Sequence, residues 1–119
     1  MSFAPQGGGG KGGIATELLA TGSIVADGTE QHILNRTTEG IEAIFGWIDI
    51  CAMQNGDSIT ITTKIDGVIH AQELYDDAVA NGILYLVKRT LNTSSTYEVI
   101  LKQTKGTYRQ YPFTLFIER

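Results

Sequence analysis

From Ile14 onward, short apolar runs alternate with turn-forming residues at fairly even spacing, the pattern of an all-β sandwich or barrel. The turns are Ala26-Asp27-Gly28-Thr29, Gln54-Asn55-Gly56-Asp57, Asp66-Gly67, Ala80-Asn81-Gly82, Asn92-Thr93-Ser94-Ser95 and Thr104-Lys105-Gly106-Thr107. Each offers Gly or Asn where a positive φ is needed. Between them the pattern predicts strands over residues 16–25, 29–37, 41–50, 57–65, 68–77, 83–90, 96–103 and 108–118. The expected fold is a single eight-stranded antiparallel sandwich or barrel, jelly-roll-like.

Alternation assigns faces within these strands. Ile59, Ile61 and Ile65 share one side against Ser58, Thr60, Thr62 and Lys64, so that strand is half buried. Tyr97, Val99 and Leu101 repeat the pattern, as do Tyr111, Phe113, Leu115 and Ile117, and these sets are expected to face the core. The runs Ile44 to Ile50 and Ile83 to Val87 are apolar on both sides, which predicts protein on both faces and an oligomer contact on the second. Within residues 70–79, Ala71, Leu74, Tyr75, Ala78 and Val79 form a competing helical stripe, but strand is preferred there.

Residues 1–13 break the pattern: they hold six of the fourteen glycines and almost nothing that could be buried. They are read as a flexible arm preceding a body over 14–119, because ordering glycine costs much backbone entropy and only a partner surface repays it. Composition narrows the picture further. Of the 119 residues, 42% are hydrophobic and 18% charged, enough apolar content for a packed core. A net charge of -4 with nine Lys plus Arg spread along the chain offers no basic stripe for a phosphate backbone, so no nucleic acid is expected. The N-terminus lacks a charged start and an apolar stretch, and no run approaches the ~20 apolar residues that span a bilayer. Neither ordinary secretion nor a membrane partner is expected, and the sequons at Asn35 and Asn92 would matter only with glycosylation.

Candidate chemistry is sparse. Nucleophilic catalysis needs a nucleophile beside an oriented base, yet His32 and His70 sit in predicted strands as surface or cross-strand residues. Cys51, the one cysteine, ends an apolar strand and is read as a small hydrophobe. Asp76, Asp77 and Glu73 lack the spacing of a calcium loop and read as a solvated acidic patch. Lys11 among glycines is followed by Gly12 rather than Ser or Thr, so it is no phosphate-binding loop. The expectation is a non-enzyme with no catalytic, cofactor or metal residues. The residues picked for partner contact are Phe3, Pro5, Gln6 and Lys11 in the arm, and Tyr108, Arg109 and Tyr111 near the last turn, where aromatic faces could stack.

The segment Gly46-Trp47-Ile48-Asp49-Ile50-Cys51-Ala52-Met53-Gln54-Asn55-Gly56-Asp57-Ser58, followed by Leu101 to Thr107 and then Tyr111-Pro112-Phe113, resembles small virion-associated β proteins of tailed phages and archaeal viruses. The resemblance covers most of residues 20–116, and departs at Cys51-Ala52, where such proteins tend to carry Ser-Asn. It implies a structural virion protein, a capsid decoration or minor capsid subunit. Such a subunit would assemble in the host cytoplasm as a homo-oligomer, a trimer being favoured, and attach to a major capsid or other virion protein partly through its arm. The alternatives are a carbohydrate- or receptor-binding sandwich, marked by exposed Tyr108 and Tyr111, and a self-assembling filament or surface subunit. The predicted strand at 29–37 is placed at an edge that could accept a partner's strand.

Overall fold

Asp66 and Gly67 take φ of 51° and 81°, a pair that closes a two-residue hairpin turn whose twist matches its flanking strands. In the computed structural model, which describes residues 15–77 and 82–119, this turn is the midpoint about which the whole chain is folded. The described residues form eight strands: β1 (Thr16–Val25), β2 (Gln31–Thr37), β3 (Glu42–Asp49), β4 (Ser58–Ile65), β5 (Val68–Asp76), β6 (Ile83–Leu91), β7 (Thr96–Lys105) and β8 (Gln110–Glu118). Strand β4 pairs with β5, β3 with β6, β2 with β7 and β1 with β8, all antiparallel. The doubled chain then rolls up: β8 also pairs with β3 and β7 with β4. Two sheets result, ordered β1-β8-β3-β6 and β2-β7-β4-β5, which is a jelly roll built as an open sandwich. Strand β5 continues to Asp76, so Ala71, Leu74 and Tyr75 of the stripe that could have made a helix are in strand, while Ala78 and Val79 lie outside the described residues.

The alternating positions meet between the sheets. Ile44, Ile48, Ile59, Val99, Leu101, Tyr111, Leu115 and Ile117 are all but inaccessible to water, and Phe113 and Ile65 pack against them. Each such side chain contributes about 1.5–3 kcal/mol on burial. The outer side of β4 is less wet than its alternation implies: Ser58 and Thr62 are also buried. Neighbours on β5 cover them, with Ser58 donating to Asp76 (2.5 Å) and Gln72 to Thr62 (2.9 Å).

Two local features shape the β1-β8-β3-β6 sheet. Gly46 lies at a bulge in β3 with φ of 154°, and a Cβ there would stand 2.8 Å from Leu115 Cα and closer still to the Thr114 carbonyl oxygen. Only glycine lets β3 approach β8 so closely. Pro112 belongs to β8, an inner strand, although proline within a sheet is ordinarily confined to edges. It is tolerated because the β3 pairing ends at Phe113, so the missing N–H removes no bond on that side.

Candidate interaction surface

The groups that could do chemistry are dispersed. His32 Nε2 lies 3.1 Å from Glu98 Oε2 across β2 and β7, and His70 is exposed on β5. Cys51, read from the sequence as a small hydrophobe, is exposed in the turn after β3. Its thiol hydrogen-bonds the Asp49 carboxylate, which pushes the thiol above its ordinary value, the direction opposite to that of an activated nucleophile. Among the described residues no three His, Cys, Asp or Glu side chains converge as metal ligands would. Asp76 and Asp77 border a shallow recess of about 270 Å³, but they hold Ser58 Oγ and the Gly56 amide (2.8 Å).

Two buried carboxylates organise the loops. Asp57 accepts from the amides of Gln54 (2.9 Å) and Thr107 (3.1 Å) and from Arg109 Nε (2.8 Å). Its carboxyl is held below the usual range first by Arg109 and then by those amides, against the effect of burial. Beside it, Gln103 accepts from Tyr111 Oη (2.8 Å) and the Arg109 amide (3.2 Å), while its Nε2 donates to the Lys105 and Thr107 carbonyls. Burial, and secondarily the Asp57 charge, push Tyr111 up to about 12. Glu42 is gripped by the Arg36 fork, Nε to Oε1 and Nη2 to Oε2, both at 2.8 Å, and the fork lowers its carboxyl likewise.

These contacts settle where the proposed partner-contact residues lie. Tyr108 is exposed, its ring against Gly28. Arg109 is committed to Asp57, and Tyr111, offered as an exposed aromatic, is wholly buried because β8 turns it into the core. The paired aromatic faces that a sugar platform needed are therefore absent here. Phe3, Pro5, Gln6 and Lys11 lie outside the described residues. Strand β2 is an edge strand, as placed from the sequence, and a bulge between His32 and Leu34 interrupts its pairing.

The most distinctive surface comes from the runs that are apolar on both sides. On the outer face of the β1-β8-β3-β6 sheet, one row runs through Tyr85, Trp47 and Thr114, and the next through Phe45, Phe116 and Leu18. Tyr85 (77%), Val87 (76%), Leu18 (59%) and Trp47 (36%) remain open to solvent. Phe45 stacks on Phe116 with centroids 5.5 Å apart, Trp47 lies 5.6 Å from Phe116, and Lys88 Nζ stands 5.5 Å over Phe45. At one end the face opens onto a recess of about 290 Å³ lined by Ile41, Thr90 and Arg119, among others, where Lys88 pairs with Glu118. The outer face of the other sheet carries His32, Glu98, Lys64, Lys102 and Gln72, and that sheet's exposed large apolar side chains, Val68, Ile69 and Leu74, all lie on the edge strand β5. Among the described residues, none covers the second side of β3 and β6, the side expected from the sequence to meet an oligomer partner.

No protein family and no curated protein matches the sequence. Among solved structures, the chain is similar in fold to the VP2 subviral particle of infectious bursal disease virus, with a TM-score of 0.50 and 12% identity. The likeness covers 88% of this chain and 32% of that one, so the chain spans about a third of the length of the protein it matches.

Proposed function

We propose that this protein is a non-enzymatic structural component of a virus particle, a capsid decoration or minor capsid subunit. It forms a homo-oligomer and attaches to the particle's shell partly through residues 1–13, after assembly in the host cytoplasm. The observation that carries this reading is the jelly-roll strand order, shared in fold with VP2 of a subviral particle. The sequence resemblance to small virion-associated β proteins points the same way. A glycine-rich segment suits attachment because it can follow the contour of a neighbour and order only on contact.

Density-gradient sedimentation tests the reading. The full chain and a chain lacking residues 1–13 are expressed in cells that carry the gene, and particles are banded and probed for each. The full chain is expected in the particle band and the shortened chain largely at the top. A full chain that never enters a particle band would overturn the proposal.

A further inference from the structure

We infer that the outer face of the β1-β8-β3-β6 sheet is a self-complementary contact, on which a second copy of this chain stacks face to face about a two-fold axis. The inference rests on the reading of the protein as an assembling subunit and adds the surface and the symmetry. Where the resemblance to virion-associated β proteins implied a trimer, this contact makes a pair.

The composition of the face is that of an interface centre. Phe45, Phe116 and Trp47 form a connected aromatic group, with Tyr85 opposite Trp47 on the neighbouring strand and Val87 and Leu18 beside them. Aromatic residues are the type most enriched where protein contacts are fully desolvated, and large ones carry most of the binding energy. The face is also contiguous, whereas scattered exposed apolar residues would call for no explanation. Lys88 and Glu118 pair at its border, so the rim carries both signs and a two-fold can set cation against anion.

Size favours a second copy. Four strands spaced about 4.8 Å apart, and the nine residues of β8 at about 3.4 Å each, make a plane of roughly 19 by 30 Å, or about 570 Å² before side-chain relief. Standard interfaces bury about 800 Å² per partner, a value this relief approaches. Stacking two such sheets about 10 Å apart repeats the packing that already joins the two sheets within the sandwich. The chain's own residues 1–14 are a poor cover, since Met1, Phe3 and Ile14 are their large apolar side chains against six on the face.

Trp47 is the sole tryptophan, so the contact has a built-in reporter. Light scattering of the full chain at up to about 100 µM, a range in which even a modest contact is populated, is combined with acrylamide quenching of Trp47. The expected mass is twice the 12.9 kDa of the chain, with quenching that increases on dilution. Val87→Glu and Tyr85→Lys, both at exposed positions, should return the mass to 12.9 kDa with an unchanged circular dichroism spectrum, while Leu74→Glu on the opposite sheet stays paired. Two variants guard against one failing to fold. A wild-type monomer throughout, a trimer, or an oligomer indifferent to both face variants would overturn the inference. Entry of such a protein into particle bands would leave the virion reading standing, and a pair that never enters them would do the reverse.

Discussion

Replacing Asp57 by Asn isolates the buried carboxylate that joins the loop before β4 to the loop before β8. The side chain keeps its shape but loses its charge, and its amide group must face at least one of the donors that Gln54, Thr107 and Arg109 direct at it. Hydrogen bonds to charged groups contribute about 1.5–3 kcal/mol, and an unsatisfied buried N–H costs about 1–3 kcal/mol. Breaking a buried pair costs about 3–5 kcal/mol, but the Arg109 side chain is 28% exposed, so water replaces part of the loss and about 3 kcal/mol is expected. For a domain of this size, about 4 °C per kcal/mol gives a fall in Tm of roughly 12 °C. Because the folded carboxyl lies below its unfolded value, its contribution is complete above the unfolded pKa of about 3.9 and is lost as pH falls through the lower folded value. Thermal melts of both proteins should therefore show the full gap at neutral pH and a narrowing gap below about pH 4. A gap under about 4 °C at neutral pH, or one that persists unchanged in acid, would refute this account.

Gly46→Ala should cost well over 3 kcal/mol in urea unfolding, or prevent folding, since β8 backbone occupies the site of the new Cβ. Gly67→Ala, at a left-handed φ of 81° but with open space around it, should cost only about 1–2 kcal/mol; equal losses would mean that sterics at Gly46 do not matter. Tyr111→Phe should lose about 1 kcal/mol and remove the most alkaline phase of the phenolate titration, and survival of that phase would reassign it. Cys51 should react with iodoacetamide more slowly than an unstructured cysteine in mild alkali, and Asp49→Asn should speed it; no change would deny Asp49 its hold on the thiol.

Much of the secondary structure was legible because its causes are local. Asp66-Gly67 specifies its hairpin by the φ values it permits, and Tyr97-Val99-Leu101 specifies an inward face by its period of two. Where alternation and an adjacent turn disagreed, as at Tyr111, alternation prevailed, because β8 lies between two strands and its inner face has no outlet to water. The burial of Ser58, Thr62, Asp57 and Glu42 was not legible: each depends on partners from other strands or loops, and their polarity pointed to solvent. Cys51 misled in the opposite way, since the turn that follows β3 carries it outward. Local chemistry thus settled the strands, the turns and the doubling of apolar character in β3 and β6. The tertiary structure decided the sheet order, the insertion of β8 between β1 and β3, and the exposure of the aromatic face. Those outcomes rest on pairings between residues about a hundred positions apart, such as Thr16 with Glu118, and a period of two along a strand specifies which side is apolar but not what will cover it.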